Sequence, residues 1–392
     1  MQADKSATYT EQSTIKRLMP RSLAYASENA LNAICPYFTM FPLEYPLRVL
    51  GAHKKDQAVV MDPFCGRGTT LFAARKLAMA ARGIDSSPIA VAIARAKLAS
   101  VHAENVLDLA QRYIEMHGEE AVPENSFFEA AFHPTVLKHL CAIRRGLLNV
   151  RRETDTTVIL RAAMLGCLHG PINKVPERRA YFSNQMPRTF SSKPDYSVRY
   201  WQDKGLEAPL VDVMAVLKIK LGRLNSSHLE QTGAIFDVRL GDSQMAVSLP
   251  SGRRDFSVVV TSPPYYGMKT YVEDQWLRNW FLGGPDHVVY AQSVQLEHAG
   301  KDVFAASLGK VWKNMARSTA DRLDMYVRFG IIPSAKVDAK ALMRASLEAS
   351  GARWKEVSVR SASTAASGKR QADHMVAGSA AATEYDFHVR RI

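Results

Sequence analysis

At 392 residues, with 47% hydrophobic and 23% charged residues, the chain has the composition of an ordinary globular protein and the length for two to three domains of ~150 residues. Disorder throughout, a collagen and a disulfide-stapled scaffold are thereby excluded. Its 51 Lys and Arg against 38 Asp and Glu leave a net charge of +13, which points to a polyanionic partner, most often nucleic acid.

Residues 1–30 are polar and mixed and read as an N-terminal arm. Ala58 to Met61 is a short apolar run ending in Asp62-Pro63; a glycine-bearing turn and helical apolar spacing from Leu71 to Leu77 follow, which predicts strand, tight loop, helix. A second strand, Ala80 to Ile84, ends at Asp85. Ser87 as N-cap and Pro88 at the first helical position then open an alanine-rich helix to about Ser100. This alternation predicts an α/β fold with a mostly parallel sheet and right-handed crossovers. From 101 to 232 the pattern turns helical, as in His133–Arg145 and Val158–His169, and a structureless loop of that length does not suit a compact domain. The stretch is therefore read as an inserted helical subdomain within a catalytic domain formed by 31–100 and 233–392.

Strands resume at Ile235–Leu240, ending at Gly241-Asp242, and at Phe256–Val260, ending at Thr261-Ser262-Pro263-Pro264-Tyr265. After a further helical stretch come an apolar run over Met325–Ile332 and a helix over Ala339–Ala349. Two more apolar segments, Trp354–Arg360 and Tyr385–Val389, flank a Ser/Ala/Gly-rich hairpin connection over Ser361–Thr383. Four cysteines (Cys35, Cys65, Cys141, Cys167) without C-x-x-C spacing argue for a reducing compartment and against a metal site. His133 and His139 lack carboxylate or thiol partners at ligand spacing and read as structural. No apolar run approaches the ~20 residues a membrane helix needs, and the N-terminus lacks a secretory layout, so a cytoplasmic protein is expected.

Two loops carry chemistry. Asp62-Pro-Phe-Cys-Gly66-Arg-Gly68-Thr69-Thr70 lies between a strand and a helix, where glycines let a ligand approach the backbone and the helix N-terminus favours an anionic group. Asp85, 19 residues after Gly66, stands where an acid accepts hydrogen bonds from ribose hydroxyls. The same G-x-G turn suits NAD enzymes or a purely structural turn, but Leu71 in place of the third glycine disfavours NAD. Asp62 also reads as a loop cap, and Cys65 as loop packing rather than a nucleophile. In Ser262-Pro263-Pro264-Tyr265 the prolines fix the backbone and the carbonyls with the Ser262 hydroxyl make an acceptor cluster for an amino group, with Tyr265 offering a ring face to a planar base. Alone, the tetrapeptide equally fits a proline-rich turn with a buried tyrosine.

Taken together, the two loops resemble those of S-adenosylmethionine-dependent DNA amino-methyltransferases, in particular the cytosine-N4 group with its S-P-P-Y loop. The resemblance covers roughly 31–100 and 234–332. It implies a Rossmann-like methyltransferase fold with an antiparallel final strand. For the cofactor S-adenosyl-L-methionine it implies contacts from Phe41, Pro42, Asp62, Pro63, Phe64, Gly66, Gly68, Thr69, Asp85, Ser86 and Asp242. Catalysis falls to Ser262, Pro263, Pro264 and Tyr265. The substrate implied is a cytosine flipped out of double-stranded DNA, in a restriction-modification or defence setting, with target recognition in the insertion. Leu168-His169-Gly170 and Tyr181–Pro187 also resemble segments of DNA methylases, without an assigned role.

Arg178, Arg179, Arg188, Lys193 and Arg199, interleaved with Tyr181, Phe182, Phe190, Tyr196, Tyr200 and Trp201, suit phosphate neutralisation and base contact, and equally a solvated face over an aromatic core. Lys369 and Arg370 are a second basic candidate. Adenine-N6 methylation is the nearest rival activity, although that group more often carries Asp or Asn where Ser262 stands. A catalytically silent DNA-binding protein is the rival of another class.

Overall fold

The computed structural model describes residues 29–37, 42–170, 179–186, 193–224, 233–249, 255–267, 272–289, 296, 300–331, 335–362 and 383–392. Among them, seven strands form one sheet: β1 (Val60–Asp62), β2 (Ala81–Asp85), β3 (Phe236–Leu240), β4 (Val258–Thr261), β5 (Asp324–Ile331), β6 (Trp354–Ser361) and β7 (Thr383–Arg391), in the order β3-β2-β1-β4-β5-β7-β6. The pairs β1–β2, β2–β3, β1–β4 and β4–β5 are parallel, whereas β7 runs antiparallel to both β5 and β6. This is the Rossmann-like methyltransferase arrangement that the sequence predicts, antiparallel final strand included. Central strands buried on both faces read as continuous apolar runs, which explains why β1 and β4 carry no alternation in the sequence.

Side chains nevertheless divide by the two-residue period of a strand. Val60, Val258 and Val260 face one core, and Met61, Val259, Met325 and Val327 the other. The first core is covered by α1 (Glu44–His53), α2 (Thr69–Lys76) and α3 (Pro88–Ala96), and by α10 (Trp276–Phe281); the second by α11 (Lys301–Met315) and α12 (Ala339–Ala349). Between β2 and β3 run α4 (Ala103–Met116), α5 (Ser126–Ala131), α6 (Pro134–Leu148), α7 (Asp155–Cys167), α8 (Pro194–Asp203) and α9 (Val213–Leu224). Their apolar side chains, among them Phe128, Leu140, Ile159, Leu165 and Leu217, join the same core that lies against α2 and α3.

Local signals hold where they are specific. Ser87 caps α3, accepting from the Ala90 amide with Pro88 in the first turn. The helix stops at Ala96, short of Ser100, and there the Arg75 guanidinium takes the carbonyls of Lys97 and Ala99 (2.7 and 2.8 Å). His133 caps α6, its Nδ1 accepting from Thr135 N–H, as suits a structural histidine. None of the described helices is long and apolar enough to cross a membrane. The expected arm falls mostly, and the connection over 363–382 wholly, outside the described residues.

Candidate active site

The chain steps outward from β1 to β2 and β3 and then returns to β4 on the other side of β1, so the carboxyl ends of β1 and β4 flank a switch point, where open α/β sheets bind ligands. The register Val60↔Val258 and Met61↔Val259 sets Asp62 and Thr261 beyond neighbouring rungs. Asp62 Oδ1 accepts from Thr261 Oγ1 (2.7 Å) and from the Phe64 amide (3.1 Å), and Thr70 Oγ1 donates to the Val260 carbonyl (3.2 Å). Burial pushes the Asp62 carboxyl up to about 6, with the hydrogen bonds from Thr261 and Phe64 offsetting it only in part. The two predicted loops are thus stitched together at their base, and Asp62, 1% exposed, lies in the seam.

Above it, Gly66 (φ 49°) and Gly68 (φ 74°) turn through the left-handed region. A Cβ on Gly68 would meet Ala94 Cβ at 2.8 Å, so this glycine lets α2 close on α3; a Cβ on Gly66 would meet nothing within 4 Å. The loop therefore offers open space at the first glycine. Asp85 Oδ2 accepts from the Gly66 amide (2.8 Å) and Oδ1 from the Ser87 amide (2.9 Å), while burial raises its carboxyl above the usual range. A carboxylate has lone pairs beyond those two bonds, so the acid can still receive hydroxyls. Ser86 is exposed beside it.

The loop after β3 closes the row. Gly241 N–H donates to the Asp85 carbonyl (2.9 Å), Asp242 Oδ1 accepts from the Gln244 amide (2.9 Å), and the Ser243 hydroxyl donates to the Pro63 carbonyl. Asn314 of α11 donates to the carbonyls of Ser243 and Gln244 (2.9 and 3.0 Å). Phe64 meets Trp312 edge to face, and Thr69 is buried at the start of α2. Cys65 is buried and its thiol is pushed well above the ordinary value by burial, then by Asp85 and Asp62, which suits packing rather than nucleophilic chemistry.

Ser262 and Pro264 are half-buried and Pro263 buried in the loop after β4. Tyr265 packs edge to face on Phe329 (centroids 6.2 Å apart), and its hydroxyl pairs with the Glu384 carboxylate and with Ser262; burial, followed by the Glu384 charge, raises the phenol far above its ordinary value. Tyr265 is therefore more tightly held than a free stacking platform. Glu384 of β7 is a neighbour that sequence reasoning missed.

Pro42 leads into α1, its carbonyl accepting from the Tyr45 amide (3.1 Å), while Phe41 lies outside the described residues. A few residues upstream, Tyr37 is the neighbour of Asp85: its phenol is raised by burial and then by Asp85, and its hydroxyl pairs with Ser87. Of the basic candidates, Arg178, Arg188, Lys369 and Arg370 lie outside the described residues. Lys193 is exposed just before α8 and Arg199 exposed on it, Arg199 Nε donating to the Asp195 carbonyl (3.2 Å), and Arg179 is half-buried. The interleaved aromatics divide: Phe182 and Trp201 are core residues, Tyr181 lies over Gly170, and Tyr196 is 57% exposed. His169 is buried beside Arg278. Among the described residues no group of three or more His, Cys, Asp or Glu is placed to hold a metal ion.

Residues 4–96 match the family model described as DNA methylase, of the N6/N4 methyltransferase group. The match takes in the Asp62–Thr70 loop and Asp85, and ends before the Ser262 loop. No curated protein matches the chain. Among solved structures, the chain is similar to the rRNA methyltransferase AviRa from Streptomyces viridochromogenes at 12% identity, with 92% of each chain covered and a TM-score of 0.33. A structure described as "Conversion of a Disulfide Bond into a Thioacetal Group during Echinomycin Biosynthesis" aligns at 10% identity over 88% of this chain and 80% of the other, with a TM-score of 0.31. Similarity this loose says nothing about activity.

Proposed function

We propose that this chain transfers a methyl group from S-adenosylmethionine to the exocyclic N4 amine of a cytosine flipped out of double-stranded DNA. The observation that carries this reading is the joining of the loops after β1 and β4 through Asp62 and Thr261, under a glycine turn anchored to Asp85. The residues present fit the cofactor: Gly66 borders open space with its amide held by Asp85, and Asp85 stands ready for ribose hydroxyls. When bound, S-adenosylmethionine supplies an electrophilic methyl group on a positively charged sulfur.

The chain's own part is positioning. An exocyclic amine is a poor nucleophile because its lone pair is delocalised into the ring. Ser262 Oγ and the Pro263 carbonyl accept the amine N–H groups, turning the nitrogen toward the methyl donor and letting positive charge build there. Tyr265 packs against the base and holds Ser262 through its hydroxyl. Extruding the base costs a few kcal/mol of lost stacking, offset by contacts to it in the crevice. Phosphate contacts fall to the basic surface, with Arg179, Lys193 and Arg199 of the 101–232 insertion as the described candidates and the +13 net charge behind them.

Incubation of duplex DNA with protein and S-adenosylmethionine, followed by digestion to nucleosides and mass spectrometry, tests the proposal. N4-methyldeoxycytidine is the expected product. N6-methyldeoxyadenosine would reassign the base, and unmodified DNA would refute the activity.

A further inference from the structure

Three buried cations neighbour the Gly66–Gly68 turn: Arg67 within it, Lys97 just after α3 and Arg278 on α10, exposed 5%, 0% and 0%. Among the described residues all their hydrogen-bond partners are neutral. Arg67 Nη2 donates to the Asn32 carbonyl (2.6 Å) and Lys97 Nζ to Asn32 Oδ1 (2.7 Å). Arg278 Nε donates to the Leu165 carbonyl (3.1 Å) and Nη1 to Gln275 Oε1 (2.7 Å). Left over, buried and without a partner among the described residues, are Arg67 Nε, Arg278 Nη2, Gln275 Nε2 and both ring nitrogens of His169. Arg67 and His169 each lie in the field of Arg278, and among the described residues no carboxylate is a group acting on either.

A buried guanidinium without a counter-charge is strongly disfavoured, and a like charge beside it adds to the penalty. One anion relieves both, and the planar fork of N–H donors suits a carboxylate. Position selects which anion. Arg67 follows Gly66, whose amide is held by Asp85. Tyr37, paired with Ser87, lies within reach of the charges of both Asp85 and Arg278, so acid and cation share one neighbourhood. A ligand with hydroxyls at one end and a carboxylate at the other spans them.

We infer that Arg67 and Arg278 form a buried receptor for the methionine carboxylate of S-adenosylmethionine, with His169 and Gln275 lining it. This assignment rests on the proposed function. The receptor gives His169-Gly170, on a motif without an assigned role, a place beside the cofactor.

Calorimetry on the full-length protein separates the possibilities by comparing S-adenosylhomocysteine with decarboxylated S-adenosylmethionine and 5′-methylthioadenosine. The wild-type protein should bind S-adenosylhomocysteine at least tenfold more tightly than either ligand lacking the carboxylate. Arg67→Gln, which keeps an amide donor for the Asn32 carbonyl, should erase that preference while leaving 5′-methylthioadenosine binding unchanged. Equal wild-type affinity for all three ligands would overturn the receptor, whether or not the variant folds. So would a preference that survives in a folded Arg67→Gln protein, or inorganic phosphate that raises the melting temperature without competing with S-adenosylhomocysteine. Failure of every adenosyl ligand to bind would instead remove the proposed function, and the receptor with it.

Discussion

The Thr261 hydroxyl donates to the Asp62 carboxylate at 2.7 Å across 199 positions of sequence, and through that bond the ends of β1 and β4 hold one another. The Gly66 turn and the Ser262 loop both start from this joint, so its geometry sets how the two loops face each other and, under the proposed function, how a methyl donor meets an amine.

Removing the donor should loosen the joint. Thr261→Val leaves a buried carboxylate short of a partner and is expected to lower stability by about 1–3 kcal/mol in urea denaturation, whereas Thr261→Ser keeps the hydroxyl and should stay close to wild type. Equal stability of the valine and serine variants would show that the bond contributes nothing.

The same carboxylate has a pH signature. With its native value near 6 against 3.8 for the free side chain, Asp62 binds a proton more tightly folded than unfolded between those values. Its contribution to stability is therefore greatest below about pH 4, falls as pH rises to about 6 and is flat above, a loss of about 3 kcal/mol. Stability measured against pH for wild type and Asp62→Asn should differ in that window, with the slope weaker in the variant.

Asp85 should act on binding before chemistry. Asp85→Ala removes the acceptor proposed for ribose and frees the Gly66 and Ser87 amides, and the Kd for S-adenosylhomocysteine should rise about tenfold to a hundredfold, the worth of a hydrogen bond to a charged group. Unchanged affinity in calorimetry would exclude Asp85 from the cofactor site.

Tyr265→Phe separates packing from hydrogen bonding at the proposed catalytic loop. The ring contact with Phe329 survives while the links to Ser262 and Glu384 go, so kcat should fall about tenfold to a hundredfold with the KM for S-adenosylmethionine little changed. Ser262→Ala should fall at least as far. Full activity in both would leave the loop without a catalytic role.

DNA affinity should fall steeply with salt, and Lys193→Ala or Arg199→Ala should each reduce the slope of log K against log salt by about 1 if the residue meets a phosphate. A filter-binding titration over salt concentration reads this directly; a slope that does not move removes that residue from the interface.

Much of this architecture is legible in the chain because its signals are local. Ser87-Pro88 fixes the start of α3, the apolar β4 run announces a buried strand, and Gly66 and Gly68 sit at the positive-φ positions the turn needs. What escaped depends on distant partners. Nothing around Ser100 signals that Arg75 takes the carbonyls just past α3, and nothing near Tyr265 points to Glu384 on β7. Aromatics interleaved with basic residues look alike in sequence whether they face DNA or a core; burial shows that Phe182 and Trp201 are core. Arg67 carried a readable cue, a cation between two glycines, but Arg278 becomes its neighbour, and His169 the neighbour of Arg278, only through packing.

The most direct measurement is a crystal structure with S-adenosylhomocysteine and a duplex carrying the modified site. The account predicts adenosine seated between Gly66 and Asp85, the sulfur turned toward Ser262 and Pro263, and an everted cytosine with its amine between them. A nucleoside bound away from the Gly66 turn, or a base still stacked in the helix while the Ser262 loop faces protein alone, would contradict it.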